Sequence, residues 1–294
     1  MTNNRVDTTR YDPQFFKKPH IVKAVRILKE FRTGSSLPVL VQTDSSELYI
    51  VKWHQTGEGP IECLSDWICL HLADAFEIPV PRSTMVEITP DLSNQVIDTE
   101  LKELIEQNAG INLGLKYLEK TEALDSSQTD KISSRLKDKL FLFDLLLLNV
   151  DRTAQNPNIL FGDNRIHCID FSASAEIRTL VTGCRISERN CFPFLRRHPF
   201  YNPHAKHEFK AGKTLALLNH ITNDIPQNWL TALGSAEKIK SKLISGLHAL
   251  FTQSHYLLEK RMELLRNVSE DTNESLKQKR IQRRNEFLKK HNLA

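Results

Sequence analysis

Three oxygen-bearing side chains in the segment 149–171 have the types and the spacing that phosphate chemistry requires. Asp151 and Asn156 lie five positions apart, and Asp170 follows fourteen positions later. An amide oxygen and a carboxylate are hard ligands, and Mg²⁺ usually takes only one or two such ligands from a protein. A second carboxylate that binds no metal can accept a proton from an attacking hydroxyl. The segment therefore predicts a candidate site for metal-assisted group transfer.

A β-hairpin is expected to bring these three side chains together. The run 158–161 is apolar and strand-like, and after a turn the run 165–170 alternates in polarity. An antiparallel hairpin returns the chain to its starting point, so Asp170 should come back close to Asn156. We expect Asp151, Asn156 and Asp170 to lie at one end of this hairpin.

The same order of residues occurs in protein kinases. There a catalytic-loop Asp is followed by an Asn five residues on and by an Asp-Phe-Gly triplet on a later strand. Asp151 and Asn156 match that spacing, and Asp170-Phe171-Ser172 matches two of the three letters. The competing interpretation is structural, because Asp, Asn and an Asn-Pro pair are common in the turns of any protein.

A kinase also needs a lysine on a strand of its small lobe, held by an acid on the next helix. Lys52 ends the Tyr-Ile-Val-Lys run of a hairpin predicted over 39–53. Asp66 and Glu62 are four positions apart on a helix predicted over 60–76, so they share one face and either could hold the lysine. The alternatives are a solvent-facing strand lysine and solvated helix acids.

The elements around these residues differ in character along the chain. Before about residue 120 the pattern is β-rich with one main helix, and the run 91–108 looks polar and peripheral. A Gly34-Ser35-Ser36 turn precedes the hairpin, in the place of a phosphate-covering loop. Later segments are mostly helical, with helices predicted over 130–148, 214–219, 226–233 and 236–267. A boundary near residue 120 therefore separates a small mixed part from a larger helical one.

Composition places the chain among ordinary soluble proteins. It is 40% hydrophobic and 26% charged, and its net charge of +4 does not by itself indicate nucleic-acid binding. The five cysteines form no CxxC pair, which favours reduced thiols over zinc or disulfides. The polar start lacks a secretory signal, and no apolar run is long enough to span a bilayer. These features predict a cytoplasmic protein without membrane contact.

Two smaller features complete the survey. The histidines His198, His204 and His207 are expected in solvated loops, because no cysteine or carboxylate pattern completes a zinc site. The tail carries the basic residues Lys277, Lys279, Arg280, Arg283, Arg284, Lys289 and Lys290 against one acid, Glu286. A solvated, fraying helix is the favoured interpretation of this tail, and contact with nucleic acid or an acidic partner is the alternative.

Taken in order, these features make the chain resemble the HipA-like kinases, most closely their short, stand-alone forms. The resemblance runs over roughly residues 20–260 and is carried by the stretches LVQTDSSELYIVKW, LADAFEIPVP, GINLGLKYLE, LFDLLLLNVDRTAQNPNILF and IPQNWL. It implies an α+β, two-lobed protein-kinase-like fold, with a small β-rich N-lobe and a larger, mainly helical C-lobe. We therefore predict an arm over 1–20, an N-lobe over 21–120, a C-lobe over 121–270 and a basic tail over 271–294.

The resemblance also implies a role for each site residue. ATP and Mg²⁺ would bind in the cleft between the lobes, with Lys52 on the phosphates and Asp66 supporting it. Asp151 would be the general base, and Asn156 and Asp170 would hold the magnesium. The adenine would meet the backbone near Leu118 and Glu119. The remaining residues, Gly34, Ser35 and Ser36, would cover the phosphates, and the two serines are candidate autophosphorylation sites.

Acceptors and partners follow only by analogy with the family, whose members phosphorylate serine or threonine on proteins. Aminoacyl-tRNA synthetases are acceptors of the family's toxins, so such an enzyme is a candidate substrate and an antitoxin a candidate partner. A nucleotide-binding pseudokinase and a small-molecule kinase are the alternatives.

Three positions depart from the pattern or leave a role open. Ser172 stands in place of the triplet's glycine. Asp66 stands where a longer Glu is usual, which leaves open whether it reaches Lys52. Arg152 would either stabilise phosphate charge or pair with an exposed acid.

Overall fold

The computed structural model describes residues 21–32 and 37–268. The predicted arm over 1–20, the turn residues Gly34, Ser35 and Ser36, and the basic tail over 271–294 lie outside the described residues.

Five strands close into a barrel in the first part of the chain. They are β1 Ile21–Glu30, β2 Val39–Thr43, β3 Leu48–Lys52, β4 Ser83–Ile88 and β5 Gly110–Lys116, in the order β1-β2-β3-β5-β4. Neighbours pair antiparallel except β1 and β4, whose parallel pairing closes the ring. Side chains alternate across each strand, so Tyr49 and Val51 of β3 are buried in the barrel core while Lys52 points to the outside.

Two helices accompany the barrel. Helix α1, Pro60–Ala75, begins with Pro60 in its first turn, where a missing N–H costs no hydrogen bond. Helix α2, Thr99–Gln107, begins after Asp98, whose side chain accepts a hydrogen bond from the Leu101 N–H.

The expectation that 91–108 is peripheral is wrong. The apolar residues of this run, Leu92, Leu101, Leu104 and Ile105, are buried in the barrel core, within a 3-10 helix Pro90–Gln95 and α2. In α2 the helical spacing of Leu101, Leu104 and Ile105 is hard to recognise, because most residues around them are polar or charged.

The later part of the chain is mainly helical and carries one small sheet. Strands β6 Glu122–Ala123, β7 Ile159–Gly162 and β8 Arg165–Cys168 form a sheet in that order. The helices are α3 Ser134–Leu147, α4 Ala175–Thr182, α5 Glu188–Leu195, α6 Thr214–Asn223, α7 Gln227–Leu233, α8 Ala236–Thr252 and α9 Ser254–Arg266, with 3-10 turns at Ser126–Lys131 and Ala211–Lys213. The prediction of a single helix over 236–267 is wrong, because α8 ends before Gln253 and α9 begins after it.

Two hydrophobic cores organise the part of the chain that the structure describes. One fills the barrel, and the other joins the helical part to α1 and to the outer faces of β4 and β5. Two buried tryptophans hydrogen-bond across this junction. Trp67 of α1 donates to the Ile221 carbonyl and Trp229 of α7 donates to the Ile111 carbonyl, each at 2.9 Å. Both side chains are fully buried and anchor this core. Helix α1 is thus fixed between the barrel and the helices.

Candidate active site

An ion-pair triad joins β3, α1 and the segment after β8. Lys52 Nζ lies 2.5 Å from Asp66 Oδ2 and 3.0 Å from Asp170 Oδ1. The other oxygen of Asp66 accepts the backbone N–H of Phe171 at 2.5 Å. The shorter aspartate therefore reaches the lysine and at the same time fixes the backbone next to Asp170.

The position of α1 explains why Asp66 and not Glu62 holds the lysine. The Cys63 thiol in the first turn of α1 lies against the carbonyls of Lys52 and Trp53, at 3.6 and 3.4 Å, which keeps the helix close to the end of β3. Asp66 is fully buried at this contact. Glu62 faces the preceding loop instead, where it accepts the backbone N–H of Glu58 at 3.1 Å.

The three charged groups shift one another's ionisation. Burial alone would lower the pKa of Lys52, but the carboxylates of Asp170 and Asp66 outweigh it and hold the pKa above its usual value. Burial raises the pKa of Asp66 to about 6, against the opposing charge of Lys52. For Asp170 the charge of Lys52 and the bonds from Ser172 outweigh burial and lower the pKa to about 2. Near neutral pH the triad therefore holds a charged lysine between two carboxylates.

Asp151 is held by two asparagine amides in the loop after α3. Asn156 Nδ2 and Asn158 Nδ2 donate to Asp151 Oδ2 at 2.9 and 3.1 Å. Within the described part of the chain, Oδ1 of Asp151 accepts no hydrogen bond, and the residue is exposed. Loss of hydration raises the pKa of Asp151, the Asn158 bond opposes this, and the charge of Asp170 adds to it. Such a carboxylate is suited to accepting a proton.

The predicted hairpin exists as β7 and β8, with Ile159 opposite Cys168. Beyond β8 the Ile169 N–H donates to the Asn158 carbonyl at 2.9 Å, and the chain then turns at Asp170 with φ of 57°. Ser172, in the place of a glycine, donates its hydroxyl to Asp170 Oδ1 at 2.7 Å. Asp170 thus meets Lys52 and lies within the electrostatic reach of Asp151, whereas Asn156 hydrogen-bonds to Asp151 and not to Asp170.

The residues predicted to hold Mg²⁺ have a suitable donor set. Because Asn156 turns its amide nitrogen towards Asp151, its carbonyl oxygen is free of hydrogen bonds within the described ranges, as is Oδ2 of Asp170. Both are hard oxygens, and Mg²⁺ needs only one or two of them when phosphates and water supply the rest. The described residues contain no group of three or more His, Cys, Asp or Glu side chains that could hold a metal by themselves.

The segment predicted to meet an adenine follows β5. Tyr117 N–H donates to the Leu48 carbonyl at 2.9 Å, and the Leu118 carbonyl accepts the Thr121 hydroxyl at 2.9 Å. Leu118 is half-buried and Glu119 is exposed. Their role in nucleotide binding stays a prediction.

A buried polar network behind the site was missed by the sequence analysis. Asp144 of α3 is fully buried and accepts from Arg152 Nε at 2.5 Å, from Asn149 Nδ2 at 2.8 Å and from His198 Nε2 at 3.1 Å. Both expectations for Arg152 are wrong, since its partner acid is buried and Arg152 itself is 1% exposed. The expectation of a solvated loop is wrong for His198, which is 3% exposed.

The electrostatics of this network favour a charged arginine and a neutral histidine. Burial alone would raise the pKa of Asp144, but Arg152 and His198 outweigh it and hold the pKa below its usual value. Burial lowers the pKa of His198. His198 Nδ1 accepts the Phe200 N–H at 3.0 Å, so Nε2 carries the proton that is donated to Asp144. The signal in the sequence was Asp144 itself, a lone carboxylate inside an apolar run, which needs a partner if buried.

Comparison with known proteins identifies a family. A family model described as HipA-like kinase matches residues 24–255 of the 294-residue chain, a range that contains Lys52, Asp66, Asp151, Asn156 and Asp170. A search of curated proteins found no match. No helix among residues 21–32 and 37–268 is long and apolar enough to cross a membrane.

Proposed function

Since the chain belongs to the HipA-like kinase family, which indicates a kinase, we propose that it is an ATP- and Mg²⁺-dependent serine/threonine protein kinase. The barrel and the helical part are then the two lobes of a kinase-like fold, with the nucleotide between them. The triad of Lys52, Asp66 and Asp170 is the observation that carries this proposal, because it places a phosphate-binding amine beside a metal-binding carboxylate.

The chain's own side chains divide the work of phosphoryl transfer. Lys52, kept charged by Asp66, neutralises phosphate oxygens of the nucleotide. Asp151 accepts the proton of the acceptor hydroxyl as the new oxygen–phosphorus bond forms and the bond to the ADP oxygen breaks. Asn158 holds the carboxylate of Asp151 in place through Oδ2. Asn156 and Asp170 would hold Mg²⁺, which offsets the negative charge of the phosphates when it is bound.

The acceptor class rests on the family alone. A protein hydroxyl is the proposed acceptor, with an aminoacyl-tRNA synthetase as a candidate substrate and an antitoxin as a candidate partner of a toxin role. Ser35 and Ser36 are candidate sites of autophosphorylation. A nucleotide-binding pseudokinase is the alternative that poor pairing of Lys52 would favour, and the 2.5 Å contact between Lys52 and Asp66 supports an active enzyme instead.

Transfer of label from ATP tests the proposal. Purified chain is incubated with γ-labelled ATP and Mg²⁺, alone and with a cell lysate, and labelled proteins are mapped by mass spectrometry. We expect phosphoserine or phosphothreonine that is absent with Asp151→Asn. Label on a small molecule only would replace the proposal by a small-molecule kinase. Absence of label together with absence of nucleotide-induced thermal stabilisation would overturn it.

A further inference from the structure

The side chain of Arg152 contacts both segments that carry the candidate catalytic groups. Its Nη1 donates to the carbonyls of Pro157, Asn158 and Ile169 at 3.1, 2.6 and 3.2 Å. Asn158 is one of the two asparagines that donate to Asp151, and Ile169 directly precedes Asp170. One guanidinium nitrogen therefore joins the loop of the proposed base to the segment of the proposed metal ligand.

The guanidinium is itself held from two further directions. Its Nε donates to Asp144, and its plane lies over the ring of Phe171 with 4.6 Å between the central carbon and the ring centroid. Asp144 is in turn fixed by Asn149 and His198. A planar, always-charged fork with several fixed donors can hold such a geometry, whereas the single ammonium of a lysine cannot hold all of these contacts at once.

We propose that Arg152 is a positioning residue that sets the separation between the loop carrying Asp151 and Asn156 and the segment carrying Asp170, and with it the affinity of Asn156 and Asp170 for the nucleotide's metal ion. This inference rests on the proposed function. Arg152 touches no substrate and acts through the backbone of Asn158 and Ile169. Groups that orient metal ligands typically contribute about 10- to 100-fold in metal affinity or activity.

The competing interpretation is that Arg152 serves the fold alone, and Arg261 provides a matched control. Arg261 of α9 is also buried, at 2% exposed, and its Nη1 also donates to backbone carbonyls of α3, those of Leu145 and Leu146. Its Nη2 pairs with Glu176 and Glu188. It contacts neither the loop of Asp151 nor the segment of Asp170 in any of these bonds.

The experiment compares Arg152→Lys, Arg261→Lys and the wild type by the thermal stabilisation that ADP gives at increasing Mg²⁺ concentration. We expect Arg152→Lys to need roughly 10-fold more Mg²⁺ for half of the effect, with the metal-free affinity for ADP unchanged. Arg261→Lys should lower the melting temperature and leave the Mg²⁺ requirement at the wild-type value.

A second variant covers a failure of Arg152→Lys to fold. Asp144→Asn keeps the guanidinium but removes the charge that anchors Nε, so the three carbonyl contacts are held less firmly and the Mg²⁺ requirement should rise, by up to about 10-fold. Wild-type Mg²⁺ dependence in a folded Arg152→Lys, or in Asp144→Asn where it takes that variant's place, overturns the inference. An equal increase of the Mg²⁺ requirement in Arg152→Lys and Arg261→Lys also overturns the inference. The inference is overturned as well if Arg152→Lys and Asp144→Asn both misfold while Arg261→Lys folds. A wild type that ADP never stabilises overturns the proposed function, and the inference with it.

Discussion

The carboxylate of Asp66 lies 2.5 Å from the ammonium of Lys52 and also accepts the backbone N–H of Phe171 at 2.5 Å. A single buried side chain thus connects the barrel, through β3, to the segment that carries Asp170. Because α1 is packed against the end of β3, an aspartate is long enough for both contacts. The close packing of α1 against β3 therefore compensates for an aspartate that is shorter than the usual glutamate, and the ion pair with Lys52 forms.

Lengthening this acid should damage the site. Asp66→Glu adds a methylene at a position that is fully buried, and overpacking of this kind costs about 1–3 kcal/mol. We expect a lower melting temperature and slower phosphoryl transfer, measured by thermal unfolding and label transfer. Asp74→Glu makes the same change on the exposed side of α1 and should alter neither. A more active Asp66→Glu protein would contradict this account of the contact.

The rate of phosphoryl transfer should fall as the pH drops through about 6. Asp66 has a pKa of about 6, so it is ionised above that pH and protonated below it, where it no longer pairs with Lys52. Asp170, with a pKa of about 2, stays ionised, and Lys52 stays charged because its pKa is raised. In the profile of kcat/KM against pH, Asp66→Asn should lose the limb near pH 6. If Asp66→Asn keeps the limb near pH 6, that limb belongs to a group other than Asp66.

The arrangement of the candidate site was predictable from the sequence where spacing and residue type determine it. The positions of Asp151, Asn156 and Asp170 follow from a hairpin with clear apolar strands, and β2 lies over the residues that the pattern indicates. The buried network could not be read in the same way, because Asp144 and His198 are 54 positions apart and meet only through tertiary packing. The partners of Asp144 could not be identified from the sequence, although a lone carboxylate in an apolar run indicates that it needs hydrogen-bond partners if it is buried.

The helices that were missed or merged have a comparable cause. The eight-residue α4 and α5 were not predicted, since helices this short draw their stability from packing more than from propensity. Helices α8 and α9 share an apolar period that continues across Gln253, so the pattern gave no sign of the break. Local periodicity reports which face is buried and says little about where the backbone changes direction.

Neutralising either proposed catalytic carboxylate should abolish transfer and preserve the fold. Asp151→Asn removes the proton acceptor and Asp170→Asn removes a metal ligand, so each should lower kcat by roughly 10²-fold or more. Asp163→Asn in the turn of the same hairpin is the matched control and should keep wild-type activity, because this exposed side chain makes no contact with the site. Label transfer measures the loss of activity, and thermal unfolding measures whether the fold is preserved. Full activity in the two site variants would remove them from the mechanism.

Asn158 should matter to activity through its amide and to stability through its backbone. It donates to Asp151 Oδ2 at 3.1 Å and has a φ of 48°, where a residue with a Cβ is strained. Asn158→Gly and Asn158→Ala both remove the amide, so both should lower kcat by a similar factor. Only the alanine should lose stability as well, by roughly 1 kcal/mol relative to the glycine. Equal melting temperatures for the two variants would contradict the backbone argument.

Closure of the barrel should depend on the absence of a side chain at Gly114. This glycine lies in β5 opposite Thr84 of β4, and a Cβ built on it would overlap Cγ2 of the buried Val86. Gly114→Ala should therefore destabilise the chain by about 1–3 kcal/mol, seen as a lower melting temperature and denaturation midpoint. Gly212→Ala is the control, because a Cβ there meets no atom within 4 Å, and it should be neutral or slightly stabilising. Since Leu113, next to Gly114, pairs with Lys52 across β5 and β3, weakened closure should also lower nucleotide affinity in Gly114→Ala and leave it unchanged in Gly212→Ala.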